Sequence, residues 1–588
     1  MSAGEENQDF ELRFRYSSSI IQLIVFNANY DIRLPSSQPF PGSAKGSSFI
    51  IDAKRGILLT NAHVVKDIIS VKGLAPKLGH DLRMRLISIC REKDLAIVQI
   101  FKEDWDILVA NSDAQSMEMQ FEDTLNMTAM TKVVAVGYPL GQDNIKFTPG
   151  AVAGFETLGN DSSAKDEDDD GETTSYIQTT APTNPGNSGG PLINQKTGKV
   201  VGVVSAGIPF AQSVGYAVST RTVWSCLDAL MGPIMHMEEP PLYARIQTSL
   251  IPKGGYTSTD ITRQKAKSSS SLIGTFNNDG VLPNVVRPPS IGFTYCRSSD
   301  DLCIYYANKI NESNELVEGI YITKIFKNSV FQFLKESMIL CSFTCQTSPS
   351  EILYGKFDNS GKVTCLQYVY KNSTQNVDIF NEFKNSKNKE SIFDITYVER
   401  KLSFRELIDM APLGSNITWN FIGEAESKQQ NKQWGRWDVI SKYLPNKNFI
   451  PSEYRFLHFE PLDFEIFGGL CVADLCMNHQ MILSDIQQKY LKGDHKFKRY
   501  VVVTFVFSDT SANETRSIMM GDVLKSINEV EVHTVEDIRQ VLVKLKDDDL
   551  LMIKSVTGGI IAIPVEKARL QDQSAIMAYQ INNYKYLL

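Results

Sequence analysis

The stretch at residues 184–192 reads Asn-Pro-Gly-Asn-Ser-Gly-Gly-Pro-Leu and places Ser188 in a turn between two segments typical of β-strands. Gly186, Gly189 and Gly190 can adopt backbone angles that other residues rarely adopt, so the chain can turn sharply and expose the serine hydroxyl. The same turn can direct the N–H groups of Gly186 and Ser188 into one small space, as an oxyanion hole requires. Taken alone, a serine flanked by glycines is also a common surface loop.

A serine hydroxyl becomes a nucleophile at neutral pH only when a base lies within hydrogen-bond reach. The first 235 residues contain two histidines, and His63 follows an apolar strand, whereas His80 lies among Gly, Pro and Lys residues. Asp94 begins the apolar segment 94–100, where a partly desolvated carboxylate needs a partner such as an imidazole N–H. We therefore predict a triad of His63, Asp94 and Ser188. Its chain order matches that of chymotrypsin-like double barrels.

Seven segments of the first half resemble the HtrA/Deg serine proteases, a family of chymotrypsin-fold enzymes that carry PDZ domains. They follow one another in the family's order at 46–52, 59–65, 94–98, 136–141, 176–179, 184–192 and 198–203. The resemblance implies a mainly β fold, with a chymotrypsin-like double β-barrel followed by two PDZ-like α+β domains. It also implies hydrolysis of peptide bonds with an oxyanion hole at Gly186, Asn187 and Ser188. No metal or organic cofactor is expected, since the other histidines lack ligand spacing.

The sequence departs from the family pattern at Ser48, Thr180 and Pro182, none of which is a predicted triad residue. Pro182 lies where the family builds its primary specificity pocket, so a substrate preference cannot simply be transferred. The residues expected to line this pocket carry no charge and are Pro182, Ser205, Ala206, Gly207 and Tyr216. An uncharged pocket favours aliphatic side chains at the cleaved position.

The pattern of the chain predicts five segments. They are a peptidase domain with an N-terminal arm at 1–235, a linker at 236–284, an enlarged PDZ-like domain at 285–425, a connector at 426–459 and a second PDZ-like domain at 460–588. Helices are predicted at 220–231, 403–408 and 535–545, the last from its apolar spacing. A dense acidic run at 166–172 indicates a solvated surface loop beside the predicted active site.

A PDZ domain takes a peptide as an added strand at its edge and holds the peptide terminus in a loop. The candidate terminus-binding residues are Ile291, Gly292 and Phe293 in the first PDZ-like domain and Gly468, Gly469 and Leu470 in the second. For the second loop, a purely structural role is an equally good interpretation. By the family resemblance, the second domain can also serve assembly more than substrate capture.

Composition limits the partners and the compartment of the chain. The formal net charge of −8 gives no electrostatic reason to expect nucleic acid, and no apolar run approaches the ~20 residues that span a bilayer. Nine cysteines without framework spacing indicate free thiols in a reducing environment. The first eleven residues are polar and lack the pattern of a secretory signal. We therefore predict an intracellular protein of the cytoplasm or nucleus, with no membrane partner.

The sequence is consistent with two functional hypotheses. The first is a serine endopeptidase that cleaves unfolded or extended polypeptides, in protein quality control or regulated processing. The alternative is a proteolytically silent chaperone or scaffold that binds peptides through the same cleft and PDZ edges. The segment 29–35, with Tyr30, lies where the family makes trimer contacts and predicts a homo-oligomer, a trimer or a multiple of it. An arm packed within one chain explains the same segment equally well.

Overall fold

The computed structural model describes residues 16–75, 81–110, 117–159, 173–205, 215–235, 282–288, 293–310, 317–326, 336–348, 350–371, 379–386, 388–398, 400–426, 432–442 and 450–581. His80 and the acidic run 166–172 lie outside these ranges, as does most of the predicted linker. The described residues form two closed β-barrels followed by two further β-rich units. The mainly β prediction and the double-barrel prediction are therefore confirmed.

The first barrel closes from six antiparallel strands. They are β1 (Ile20–Asn29), β2 (Phe40–Asp52), β3 (Ile57–Thr60), β4 (Ile68–Leu74), β5 (Asp81–Cys90) and β6 (Leu95–Ile100). Their order is β5-β4-β1-β2-β3-β6, and pairing between β5 and β6 closes the sheet. Because β4 pairs only with residues 81–84 of β5, the far end of β5 keeps an edge that β4 leaves free, and the loops at the barrel rim are free to carry function.

The second barrel follows the helix α1 (Lys102–Ala110) and also closes from six strands. They are β7 (Lys132–Gly137), β8 (Lys146–Gly159), β9 (Thr173–Thr179), β10 (Pro191–Asn194), β11 (Val200–Val204) and β12 (Gly215–Ser219). Every residue of β10, β11 and β12 is buried. These short apolar strands fix the loop between β9 and β10, which contains Ser188.

The helix α2 (Thr220–Met235) packs against β5 and β6 of the first barrel and against β11 and β12 of the second. It begins where the sequence predicts and ends four residues later than predicted. The short strand β13 (Asn284–Val285) adds to the first barrel in parallel with β5. Residues 284–286 therefore belong structurally to the two-barrel unit, although the sequence places the next domain from 285.

The third unit is a nine-stranded sheet with three helices. Its elements are β14 (Phe293–Arg297), α3 (Asp300–Lys309), β15 (Ile320–Ile325), β16 (Ile339–Ser348), β17 (Glu351–Phe357), β18 (Lys362–Tyr370), α4 (Ile379–Asn385), β19 (Phe393–Tyr397), β20 (Leu402–Ser403), α5 (Phe404–Asp409), β21 (Asn416–Glu426) and β22 (Lys432–Lys442). The strand β22 pairs with β21 along its whole length, and Trp437 and Val439 pack against the core. The segment that the sequence assigns to a connector therefore supplies a strand.

The fourth unit contains a three-stranded and a four-stranded sheet, joined by a bridge between Val502 and Val523. Its elements are β23 (Phe464–Phe467), β24 (Leu470–Asp474), β25 (Val501–Val506), α6 (Ser511–Thr515), β26 (Leu524–Ile527), β27 (Val530–Glu531), α7 (Val535–Leu542), β28 (Leu550–Ser555), β29 (Ile560–Pro564) and α8 (Val565–Ala578). Thr534 begins α7 with a reciprocal capping box to Asp537. The helix starts as predicted and ends three residues earlier.

All nine cysteines are free. Short turns of 3-10 helix complete the regular structure. These turns are His63–Val65, Pro139–Gly141, Lys389–Ser391, Met477–Ile482, Gln488–Leu491 and Gly493–Phe497. Within the ranges given above, no helix combines the length and the apolar character needed to cross a membrane.

Phe404 lies at the centre of the third unit and is fully buried. Its ring lies within 5.1–6.1 Å, centroid to centroid, of four other aromatic rings, those of Phe293, Tyr295, Phe357 and Trp419. We expect Phe404→Ala to lower the free energy of unfolding of this unit by about 3–5 kcal/mol, because it opens a cavity that the neighbours cannot fill. Denaturant unfolding followed by tryptophan fluorescence measures the loss. Tyr397→Ala, at a side chain that is 58% exposed, is the matched control and should change stability little.

Candidate active site

His63 lies at the rim of the first barrel, directly after the fully buried strand β3. The chain leaves β3 through Asn61 and Ala62 and forms a single 3-10 turn over His63–Val65. Val64 and Val65 point into the barrel core, whereas His63 stays exposed. The apolar pair thus anchors the turn and leaves the imidazole accessible from solvent.

Asp94 lies in the tight turn between β5 and β6, where its N–H donates to the carbonyl of Arg91 at 2.9 Å. Its φ of 51° is left-handed, a conformation that aspartate tolerates better than most residues. Both carboxylate oxygens lie 2.9 Å from His63 Nδ1, and the His63 N–H also donates to one of them at 3.1 Å. The Asn61 side-chain amide donates to the Asp94 carbonyl at 2.8 Å. This geometry fixes Nδ1 as the protonated nitrogen and turns Nε2 away from Asp94.

The charge of Asp94 governs the proton affinity of the imidazole. Partial removal of water from the ring disfavours imidazolium, but the attraction and the hydrogen bond of Asp94 outweigh this effect. The net result raises the pKa of His63 above its usual value.

Ser205 lies close to Asp94, and its hydroxyl donates to Asp94 Oδ2 at 2.8 Å. The sequence places Ser205 among the residues that line the specificity pocket. Its side chain is instead buried against the carboxylate, and its N–H donates to the carbonyl of Tyr216. The hydroxyl therefore helps to orient Asp94, a role that no local pattern around Ser205 indicates.

The turn that carries Ser188 is shaped by glycines at sites of close backbone approach. Gly186 and Gly189 have φ values of 100° and 85°. A Cβ on Gly186 would lie 2.2 Å from the Tyr138 carbonyl, and one on Gly189 would lie 2.1 Å from the Ser47 carbonyl. Only glycine satisfies both the backbone angle and the space.

Contacts from both barrels hold this turn. The Ser47 N–H donates to the Ser188 carbonyl at 2.8 Å, and the Ser47 hydroxyl donates to the Gly186 carbonyl at 2.7 Å. The Gly189 N–H donates to the carbonyl of Val204 in the second barrel. A Cβ on Gly46 would touch Val64, next to His63, and the Ser188 carbonyl. The structure therefore brings the Ser188 turn beside the turn of His63, at the boundary between the barrels.

The peptide group before Gly186 is held by a contact to the loop that follows β7. The Pro185 carbonyl accepts a 2.6 Å hydrogen bond from the Leu140 N–H. Because this peptide bond is trans, the Gly186 N–H points the opposite way. Within the described ranges, the N–H groups of Gly186 and Ser188 have no acceptor. Both donors are therefore unengaged in the described part of the chain.

Two further observations concern the predicted oxyanion hole and triad. The Asn187 N–H donates to the Asn184 carbonyl at 3.0 Å, so it is engaged within the turn and does not add to the two available donors. No hydrogen bond joins Ser188 Oγ to His63 Nε2 in the part of the chain that the structure describes. Such catalytic contacts are often long in unliganded enzymes and shorten when substrate binds.

The predicted specificity pocket is only partly covered by the structure. Pro182 is exposed, and Tyr216 is buried with its ring 6.1 Å from that of Tyr176. Ala206 and Gly207 lie outside the described residues. Among the described residues, no group of three or more His, Cys, Asp or Glu side chains has the arrangement of a metal site.

The glycine loop of the fourth unit is occupied by a carboxylate of the same chain. The N–H groups of Gly468 and Gly469 donate to the two oxygens of Asp572 at 2.8 and 2.7 Å, and Asp572 on α8 is fully buried. Leu470 is buried in the core. In this structure the predicted terminus-binding amides are therefore engaged internally, since α8 covers the loop.

In the third unit, Phe293 does not line an open loop. It is buried and stacks on Phe404, with ring centroids 5.8 Å apart. Ile291 and Gly292, the other two residues proposed for this loop, lie outside the described residues.

Tyr30, the proposed trimer contact, packs within its own chain. Its hydroxyl is 3.0 Å from His458 Nδ1, and burial followed by the charge of Asp67 raises the pKa of Tyr30 to about 12. Leu34 packs against the apolar cluster of the fourth unit that includes Phe464. The arm therefore has partners inside the chain.

Residues 46–203 match the family model described as the trypsin-like peptidase domain. The two-barrel unit is thus a trypsin-like peptidase domain. The chain is 30% identical over 260 residues to the mitochondrial protease Do-like 4 of Arabidopsis thaliana, covering 43% of each chain. It is 33% identical over 195 residues to the serine protease Do-like HtrA of Bacillus subtilis, covering 32% of this chain and 39% of the relative. The chain is therefore similar to serine proteases of the Deg/HtrA type.

The likeness to these relatives is limited in extent. The chain spans less than half the length of the two curated relatives. Among solved structures, the HtrA-type protease AlgW with a tripeptide is 16% identical and has a TM-score of 0.36. That alignment covers 61% of this chain and 95% of AlgW. A TM-score of this size supports no inference about the present chain.

The Asp572 contact predicts an unusual pH dependence of stability. Burial, the largest effect, raises the pKa of Asp572 to about 7, despite two N–H donors that favour the charged form. In the unfolded chain the value is about 4. Between these values the folded state keeps a proton that the unfolded state releases, so the free energy of unfolding falls as pH rises from about 4 to about 7.

Thermal or denaturant unfolding of the fourth unit across this pH range measures the effect. Asp572→Asn cannot titrate and should show a shallower decline with pH than the natural chain. Equal pH slopes for the two proteins would contradict the assignment.

Proposed function

We propose that this chain is a serine endopeptidase that acts through His63, Asp94 and Ser188. The observation that carries the proposal is the 2.9 Å contact between His63 Nδ1 and the Asp94 carboxylate, made beside a glycine turn that holds Ser188 and two available N–H donors. Each of these parts is common alone. Their meeting at the boundary of two barrels is the arrangement that acyl transfer by a serine nucleophile requires.

The proposed reaction proceeds by acyl transfer to water. His63 Nε2 accepts the proton of Ser188 Oγ as the oxygen attacks a peptide carbonyl, and it later gives that proton to the leaving amine. Asp94 holds the imidazole tautomer and stabilises imidazolium. The N–H groups of Gly186 and Ser188 receive the oxyanion, and loss of one such donor costs about 3 kcal/mol of transition-state stabilisation. Water then releases the acyl group and restores the serine.

We propose extended or unfolded polypeptides as substrates, in protein quality control or regulated processing. The groove between two barrels binds a peptide backbone, and the names of the curated relatives agree with a protease.

We also propose a homo-oligomer, a trimer or a multiple of it. Because Tyr30 packs within its own chain, surfaces other than the segment 29–35 are favoured for the contact between subunits. Nine free cysteines, eight of them buried, support a reducing intracellular compartment.

Ser188→Ala should abolish hydrolysis of an unfolded test protein and labelling by a fluorophosphonate probe, because both need the serine oxygen. His63→Ala should abolish labelling as well, since the serine then lacks its base. His533→Ala, which removes an exposed histidine on the fourth unit, is the matched control and should leave both signals intact. A natural chain that binds unfolded protein but never reacts with the probe would instead support the scaffold hypothesis.

The raised pKa of His63 predicts the acid side of the pH profile. The imidazole must be neutral to act as a base, so kcat/KM should fall as pH drops through the pKa of His63. Because Asp94 raises that pKa, the midpoint should lie above the ordinary histidine value of about 6.5. Asp94→Asn should lower both the rate and this midpoint, which steady-state kinetics from about pH 5 to 9 can measure. A midpoint below the ordinary value in the natural chain would contradict the arrangement.

A further inference from the structure

The turn that carries Asp94 is held by groups from outside the first barrel at three successive residues. The Thr174 hydroxyl of the second barrel donates to the Glu92 carbonyl. The ammonium of Lys93 pairs with the carboxylate of Asp409, which belongs to the third unit. Asp94 itself accepts from Ser205. The position of the turn therefore depends on more than its own barrel.

Asp409 lies 316 positions after Lys93 in the sequence, yet its side chain contacts the peptidase domain. Its side chain is 1% exposed, and that of Lys93 is 7% exposed. Besides Lys93, the carboxylate accepts from the Ser175 N–H in β9 and from the Thr222 hydroxyl in α2, both at 2.7 Å. One side chain of the third unit thus joins both barrels and α2.

The local setting of Asp409 does not favour a buried carboxylate. Asp409 is the last residue of α5, where unpaired carbonyl groups give the helix end a partial negative charge. A buried charge also costs several kcal/mol unless it is paired and hydrogen-bonded. The three donors that compensate Asp409 all come from the peptidase domain, so the carboxylate is specific to the docked arrangement.

Other contacts make this docking rigid. Leu125 of the peptidase domain is buried in the core of the third unit. The Leu413 N–H of the third unit donates to the Ser225 carbonyl at 2.7 Å. Arg221, at the start of α2, binds Asp123 and reaches Glu351 of the third unit at 2.7 Å. Asp409 therefore cannot shift independently of the surface that carries it.

Asp409 and Asp94 also act on a common neighbour. Tyr176 on β9 is buried, and burial followed by the negative charges of Asp94 and Asp409 raises its pKa. The charges of both carboxylates therefore act on one buried side chain of the second barrel.

We infer that Asp409 is a positioning residue for the active site: by binding Lys93, Ser175 and Thr222 it holds the Asp94 turn in register with His63. This inference rests on the proposed peptidase function. The third unit thereby completes the peptidase site, a role separate from any binding of ligand by that unit. Without the Asp409 charge, Lys93 loses the carboxylate that faces its ammonium, and the left-handed turn at Asp94 loses its outer support.

Asp409→Asn in the full chain tests the inference. The expected result is a fall in kcat of at least tenfold with KM within twofold, because substrate contacts remain while the triad is misaligned. The His63–Asp94 hydrogen bond should also lose its low-field proton resonance. That resonance does not depend on turnover, so it tests the positioning role even if the chain hydrolyses no substrate.

Two further variants keep the test decisive. Glu351→Gln is the matched control, since it weakens the other docking contact at a site away from the triad and should leave kcat and the resonance unchanged. Lys93→Met combined with Asp409→Asn removes both charges and keeps an acceptor for Ser175 and Thr222. Because this pair leaves no unpaired buried ammonium, its stability should approach that of the natural chain, whereas kcat and the resonance should stay reduced, because the tie between Asp409 and the Asp94 turn is absent. An unchanged kcat and resonance in Asp409→Asn, or equal losses in Asp409→Asn and Glu351→Gln, would overturn the inference.

Discussion

The carboxylate of Asp94 is the group on which the functional part of this structure depends. A carboxylate at the start of a buried strand needs donors, and here they are the His63 ring, the His63 N–H and the Ser205 hydroxyl. Because those donors come from both barrels, the electrostatic requirement of one side chain fixes how the barrels meet. The same contact sets the tautomer and raises the pKa of the imidazole. The way the barrels meet and the proposed role of His63 as a base therefore both depend on the Asp94 carboxylate.

The serine turn adds a steric constraint to this electrostatic one. Gly186 lies so close to the Tyr138 carbonyl, and Gly189 to the Ser47 carbonyl of the first barrel, that a larger residue at either position would displace the turn. The turn is consequently held by backbone contacts to Ser47, Leu140 and Val204 and needs few side chains. The N–H groups of Gly186 and Ser188 have no acceptor among the described residues, and we propose that they receive the oxyanion. Preorganised donors of this kind are effective because they need not reorient during the reaction.

Features set by neighbours in sequence could be predicted well. The strand before His63, the glycine turn of Ser188 and the helix starts at Thr220 and Thr534 follow from local apolar spacing, backbone freedom and capping. Helix ends were predicted less accurately, because tertiary contacts decide where a helix stops. The helix α7, for example, ends at Leu542 and not at residue 545. The strand β22 was missed because its pairing partner, and not its own pattern, defines it.

Apart from the pairing of His63 with Asp94, contacts between distant segments could not be predicted from one sequence. Ser205 has a local environment that fits a pocket wall equally well, and only its approach to Asp94 reveals its role. Gly468 and Gly469 form a loop suited to a carboxylate, but nothing near them indicates that Asp572 fills it. One signal for Asp409 was present, namely an acidic residue closing a helix, where charge of that sign is disfavoured. Its partners lie in three separate elements.

The separation of Lys93 and Asp409 along the chain has a consequence for biosynthesis. Ribosomes make a protein from its N-terminus, so His63, Asp94 and Ser188 emerge long before residue 409. Until the third unit has been made and has docked, a nascent polypeptide holds the three reacting groups without the carboxylate that braces them. In a chain with this layout, the proposed hydrolase gains its alignment only after the third unit has been made, when both barrels have already been synthesised and are no longer extended targets for self-digestion.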